Sequence, residues 1–321
     1  MKINPIILVA GDPDSIFFEI FFKALKKKKI KSPLILICCK KLFLNQMKYF
    51  KFKTKLKIIS FDQIKYYKFS NKYLNIINVE LKGSTNKFQK RIYINNYIKA
   101  SFNLAFKLIK NGISKKLING PIDKKKFLEK KYLGITEYIS KYFNIKKNGM
   151  LIYNKKLSVC PLTTHLPIKL VAKKINKKII SEKIDIIDHF YRKHLKIKPK
   201  IAVTGLNPHC ESILNINEDE KILPSVIKMK KKKGVYIKGP YPADTIFLKN
   251  NRKKFDVILG MYHDQVLGSV KSLFEYDAIN ITMGLPFLRV SPDHGPNSIM
   301  FKKNKSNPLS IIRALEFLDK K

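Results

Sequence analysis

An α/β fold with a mostly parallel sheet is what this sequence predicts, and three observations predict it. Short, wholly apolar runs recur along the chain, longer amphipathic stretches separate them, and polar, turn-prone residues collect directly after the runs. Buried strands alternating with helices give this pattern, because a parallel strand covered on both faces is apolar throughout. The 321 residues suit one large domain or two intertwined lobes, and a 45% hydrophobic content supplies a sizeable core.

Taken in order, the strands expected are "IILVA" (6–10), "LILICC" (34–39), "KLIN" (116–119), "MLIY" (150–153), "LSVCPL" (157–162), "KIAVTG" (200–205), "FDVILG" (255–260) and "AINITMG" (278–284). Helical segments are expected at 14–29, 90–111, 166–178, 180–194 and 218–232. The last opens with acids and closes with lysines, which suits a helix dipole. "GDPDSIFFE" matches neither a GxGxxG nor a Walker pattern, so the residues that would bind a nucleotide are not assigned.

The formal charge of +43 suggests a polyanion partner at first sight. Yet the 66 basic residues include only five arginines, at 91, 192, 252, 289 and 313. Arginine is the preferred fork for phosphates and base edges, and its scarcity beside inflated Lys, Ile, Asn, Phe and Tyr points to A/T-rich codon drift. Nucleic acid is therefore not the expected partner. The four cysteines show no CxxC spacing, the N-terminus reads as a buried strand, and no apolar run reaches membrane-spanning length. A cytoplasmic protein with reduced thiols and no membrane partner is expected.

Ligands of parallel α/β proteins meet the carboxyl ends of strands. Five strand exits read "GDPD", "NGPIDK", "TTHLP", "TGLNPHCES" and "GMYHDQ", and three of them carry a histidine: His165, His209 and His263. The remaining histidines include His189 and His194, both within an amphipathic helix and expected at the surface. A single exit histidine is ordinarily a structural hydrogen-bonder. Three of them on strands that converge at one sheet edge form a candidate metal site, with a fourth coordination position left for substrate. Pro167 and Pro208 stiffen the backbone beside two of the three, and Asp264 can orient a neighbouring ring.

The stretch from 263 to 295 adds Lys271 in a helical pattern, Asn280 within a strand, and Arg289 among apolar neighbours. Arg289 reads either as half of a salt bridge to Asp293 or as a bidentate clamp on a carboxylate or phosphate.

The motifs "GDP…E", "NGPIDK", "GITEY", "TTHLPI", "GLNPH", "GPYPADTIF", "MYHDQ" and "NITMGLPFLRVSPDHG" resemble, in order and spacing, the 4-hydroxythreonine-4-phosphate dehydrogenases of pyridoxal-phosphate biosynthesis. The resemblance runs from about residue 6 to 318. It implies an isocitrate/isopropylmalate-dehydrogenase-like fold, with residues 1–321 forming one unit of two interleaved α/β lobes and the active-site cleft between them. It implies a homodimer with the active site at the subunit interface, acting on a small phosphorylated amino acid. The implied cofactors are NAD and a divalent metal (zinc, magnesium or cobalt). The implied reaction is oxidation of a secondary hydroxyl, followed by loss of CO2 to give 3-amino-2-oxopropyl phosphate. Carried over by position, His165, His209 and His263 match metal ligands, and Thr136, Lys271, Asn280 and Arg289 match substrate contacts. Lys271 and Asp264 are the catalytic candidates, and Asp244 is a further polar candidate that could instead cap a helix.

Some positions depart from the resemblance. Ile135 stands where the family usually places a histidine, and "GDPDSIFFE" has exchanged glycines for phenylalanines in a strand-to-helix turn. A relative acting on threonate or erythronate 4-phosphate is the rival expectation. A decayed member of the family that binds nucleic acid is the more distant one.

Overall fold

The computed structural model describes residues 4–64, 66–128, 131–132, 134–211, 218–293 and 295–320. His294 and the segment 212–217 lie outside the described residues. The chain divides into two compact units, Met1–Tyr132 with Pro286–Lys321, and Leu133–Leu285.

Unit 1 begins with β1 (Ile6–Val9), α1 (Phe17–Lys27), β2 (Leu34–Cys38), α2 (Lys40–Tyr49), β3 (Leu56–Ile58) and β4 (Leu74–Asn78). It continues through the long α3 (Lys87–Lys110), β5 (Lys116–Asn119) and the short α4 (Lys124–Leu128). The chain later returns with β12 (Leu288–Pro292) and α11 (Leu309–Asp319). Its strands lie in the order β3-β4-β2-β1-β5-β12, and each neighbouring pair is parallel. β1 is buried along its whole length, which its unbroken apolar run requires. The sequence order reverses direction between β1 and β5, so the loops leaving these two strands lie side by side. There the backbone N–H of Asp12 donates to the carbonyl of Pro121 at 2.9 Å.

The phenylalanines of the altered turn are core residues. Phe17 and Phe18 are 1% and 3% exposed; Phe17 stacks on Phe21, and Phe18 meets Phe43 edge-on. Bulk added to the turn has been absorbed beneath α1. At the far end of the same unit, Asp319 accepts N–H bonds from Lys31 at 3.0 Å and Ser32 at 2.7 Å. Burial pushes its carboxyl up, but these donors outweigh it and hold it below the usual carboxylate range. A depressed folded-state pKa stabilises above the unfolded value and is lost as pH falls through the folded one. Asp319→Asn is expected to lower the thermal midpoint by about 2–4 °C at neutral pH. The gap should close below roughly pH 4. Paired melting curves across pH 3 to 8 check it, and a gap independent of pH contradicts it.

Unit 2 holds α5 (Ile135–Tyr142), β6 (Gly149–Tyr153), β7 (Ser158–Thr163), α6 (Val171–Lys174), α7 (Lys177–Phe190), β8 (Ile201–Thr204) and α8 (Leu223–Lys232). β9 (Ile237–Tyr241), α9 (Lys249–Arg252), β10 (Val257–Tyr262), α10 (His263–Phe274) and β11 (Ile279–Met283) complete it. The strand order is β11-β6-β7-β10-β8-β9. β7, β10, β8 and β9 run parallel, while β6 pairs antiparallel with both β11 and β7. Its core gathers Ile152, Val159, Ala202, Ile258, Val266 and Val270.

The expected α/β class with mostly parallel pairing is therefore observed in each unit. Two helical expectations need correction. The segment 166–178 is a 3-10 turn at Ile168–Leu170 and the single-turn α6, because the Asn176 side chain accepts the N–H of Ile179 and starts a new helix. The segment 218–232 opens as a π-turn at Glu218–Ile222 before α8, whose second residue is Pro224. Among the described residues no helix is long and apolar enough to cross a membrane.

Candidate functional site

The three exit histidines leave three adjacent strands. β10 lies between β7 and β8 and runs parallel to both, so all three carboxyl ends reach one edge of the unit 2 sheet. His165 follows β7 by two residues, His263 follows β10 directly as the first residue of α10, and His209 follows β8 by five. The Thr163 hydroxyl ties the first two exits together by donating to the carbonyl of Met261 at 2.8 Å.

The rings of His165 and His263 stand 6.2 Å apart between centroids. Two imidazoles sharing a tetrahedral ion hold their centroids roughly 5 Å apart, given a metal–nitrogen distance of about 2 Å. The pair fits one cation after a small closure. Asp264 Oδ1 lies 2.7 Å from His263 Nδ1, the carboxylate–imidazole contact that fixes a ligand ring and leaves its other nitrogen for a metal. His209 is exposed on its loop. Among the described residues of this single chain, no group of three or more His, Cys, Asp or Glu side chains is close enough to hold a metal. One chain thus brings together two of the three expected ligands.

The remaining candidates distribute as follows. Thr136 lies in the first turn of α5, and its Oγ1 is 3.3 Å from Oγ1 of Thr282 on β11. Asn280 stands two residues before Thr282, hence on the same face of β11. Its Oδ1 is buried and accepts no hydrogen bond among the described residues. Lys271 is half-buried on α10, one turn beyond the buried Leu267. Arg289 belongs to unit 1, 3% exposed on β12, where its Nε donates to Oδ1 of Asn119 at 2.8 Å. That bond aims the guanidinium from within the sheet, and the other candidates belong to unit 2.

Asp244 is exposed and does not cap a helix; the residue preceding α9 is Leu248. Burial first, then the Asp219 carboxylate, with a smaller push from Asp244, raises the Cys210 thiol above its ordinary range.

Beside His165 lies a cavity of about 280 Å³, lined among others by Thr136, Glu137, Asn148, Thr164, Lys174 and Lys183. Two lysines at the lining of a small cavity suit an anionic ligand. The Lys183 ammonium donates to the carbonyl of Asn148 at 2.7 Å. Glu137, Lys174 and Lys183 are site residues that sequence reasoning missed, since in so lysine-rich a chain two more lysines carry no signal. Gly134 permits the close packing here: a Cβ on it would sit 2.7 Å from Glu137 Oε2 and 2.9 Å from His165 Cε1. Ile135, 4% exposed, is a buried residue, so this turn contributes packing at the position where the resemblance would place a histidine.

Comparison with known proteins identifies the family. The family profile described as "Pyridoxal phosphate biosynthetic protein PdxA" matches residues 29–318. The chain is 35% identical to 4-hydroxythreonine-4-phosphate dehydrogenase of Sulfurihydrogenibium sp. (strain YO3AOP1), over 96% of this chain and 95% of that one. It is 34% identical to D-threonate 4-phosphate dehydrogenase of Pectobacterium atrosepticum, over 58% of this chain and 57% of that one. The crystal structure of 4-hydroxythreonine-4-phosphate dehydrogenase from Klebsiella pneumoniae superposes with a TM-score of 0.81 at 26% identity, covering 98% of this chain and 97% of that one. Matched along nearly its whole length, the chain belongs to the PdxA family of pyridoxal phosphate biosynthetic proteins.

Proposed function

We propose that the protein is an NAD-dependent dehydrogenase acting on 4-phosphohydroxy-L-threonine in the formation of pyridoxal phosphate. The observation that carries the reading is the exit of His165, His263 and His209 from three neighbouring parallel strands, with the first two rings 6.2 Å apart. The name of the Sulfurihydrogenibium relative supports the substrate.

In the reaction, the substrate carbinol carbon gives a hydride to NAD and its hydroxyl gives up a proton. The β-keto acid so formed loses CO2, and a proton returns to the carbon left behind, yielding 3-amino-2-oxopropyl phosphate. A divalent cation held by the three histidines, when bound, lowers the hydroxyl pKa and draws electron density from the new ketone. Asp264 orients His263 for this task. Thr136 and Asn280 bind the substrate by hydrogen bonds; the unsatisfied Asn280 Oδ1 suits a substrate N–H or O–H donor. Lys271 and Arg289 hold anionic groups, and Lys271 is the acid that returns the proton. The active form is a homodimer in the cytoplasm, with imidazoles from both subunits completing the metal set.

A second reading, oxidation of D-threonate 4-phosphate, is favoured by the Pectobacterium relative and by the apolar Ile135 beside Thr136. Purified protein assayed side by side on the two substrates decides between them. The first reading expects NAD reduction at least about tenfold faster in kcat/KM with 4-phosphohydroxythreonine, a difference of roughly 1.4 kcal/mol in transition-state binding. A preference for the threonate ester selects the second, and turnover of neither rejects both.

A further inference from the structure

The loop that carries His209 is held in a conformation its residues do not favour. His209 (φ 56°) and Cys210 (φ 62°) are successive non-glycine residues in the left-handed region. Neither is a glycine, so two such residues in succession persist only where their surroundings impose the conformation. His209 is exposed, and core packing does not supply the restraint.

Backbone bonds from Cys210 N–H to the carbonyl of Asn207 and from Glu211 N–H to that of Pro208 close the turn, and two polar side chains fix where it starts. Asp219, 1% exposed, lies in the π-turn that precedes α8. Its Oδ1 accepts the backbone N–H of Leu206 at 2.6 Å, and its Oδ2 accepts both the backbone N–H and the side-chain Nδ2 of Asn207 at 2.9 Å. A buried carboxylate taking three N–H bonds from two successive residues pins the start of the loop. Gln265 stands two residues beyond His263 on α10. Its Oε1 accepts the N–H of Met261 at 2.7 Å and the hydroxyl of Thr204 at 2.8 Å, while its Nε2 donates to the carbonyl of Gly205 at 2.8 Å. One side chain therefore joins the end of β10, the end of β8 and the first residue of the His209 loop.

We propose that Asp219 and Gln265 are positioning residues, which fix the start of the strained His209 loop at the end of β8 so that His209 is presented for a divalent cation. This rests on the reading of the three histidines as metal ligands. Neither residue touches the metal or substrate; each acts through the backbone that bears a ligand.

The test is zinc affinity of the full-length chain, measured by competition with a chromophoric chelator, for wild type, His209→Ala, Asp219→Asn, Asp219→Glu and the double variant His209→Ala/Asp219→Asn. Thermal midpoints of the metal-free proteins are recorded in parallel. His209→Ala is expected to weaken zinc binding at least 100-fold and Asp219→Asn roughly 10- to 100-fold, with part of the loss restored in Asp219→Glu. The double variant should bind zinc no more weakly than His209→Ala alone, since Asp219 has no ligand left to position. Loss of zinc that adds fully in the double variant, or undiminished affinity in Asp219→Asn, overturns the proposal. Undiminished affinity in His209→Ala instead overturns the metal reading beneath it. If Asp219→Asn yields no folded protein, Gln265→Met carries the same cycle with the same expected and overturning results.

Discussion

Replacing His165 by alanine is expected to lower kcat/KM for NAD reduction by at least about 10³-fold, the loss of roughly 4 kcal/mol of transition-state stabilisation. His165 follows β7 by two residues, and its ring meets that of His263 across the adjacent exit of β10. Removing one imidazole from a three-ligand set leaves a pair that holds a cation weakly, and the substrate hydroxyl then keeps its ordinary high pKa. Exhaustive chelation of the wild type should reproduce the loss, and elemental analysis should show the metal missing from His165→Ala. His189→Ala, on the exposed face of α7, should leave both rate and metal content at wild-type values. Undiminished, chelator-sensitive turnover in His165→Ala would remove this histidine from the metal set.

Gly120→Ala should be a strongly destabilising single-methyl change in unit 1. A Cβ at this position would lie 2.2 Å from the carbonyl oxygen of Ala10 and 2.6 Å from Cδ2 of Phe17. Ala10 and Gly120 begin the exit loops of β1 and β5, where the direction of strand order reverses, and the backbone of each loop is fixed by its strand. Phe17 is buried and stacks on Phe21, so moving its ring disturbs the aromatic cluster around it. Relief requires parting two strand ends, so the cost should reach about 3 kcal/mol, the upper end of overpacking penalties. Chemical denaturation monitored by tyrosine fluorescence checks this. A midpoint within error of wild type would mean that the two loops separate freely.

Much of the fold was legible because buried parallel strands write themselves as unbroken apolar runs. β1, β2, β5, β6, β7, β8, β10 and β11 all coincide with such runs, to within two residues at either end. Four strands do not stand out in the sequence: β4 is buried but interrupts its apolar run with Asn75 and ends in Asn78, and on the other three burial is incomplete or the composition misleading. β3 is half-exposed and carries a lysine, β9 contains Gly239–Pro240, and β12 ends in Pro292. An edge or interrupted strand gains less from apolar residues, so selection leaves a fainter pattern there. The site was legible in part for the same reason: a strand exit is recognisable once its strand is. Glu137 and Lys183 were not, because neither follows a strand end, and they reach the His165 cavity from helices α5 and α7.

By itself the sequence determined the inventory of chemistry, three imidazoles each at the end of a buried strand, and it determined the family through motifs that persist in a lysine-saturated chain. Only the tertiary structure decided which exits are neighbours. β7, β8 and β10 are separated in the chain by helices and by β9, yet β10 inserts between the other two, and that insertion sets the rings of His165 and His263 side by side. Strand adjacency of this kind is a long-range property: it is settled by how helices cover the two faces of the sheet and by the handedness of the crossovers, and no local run of residues encodes it.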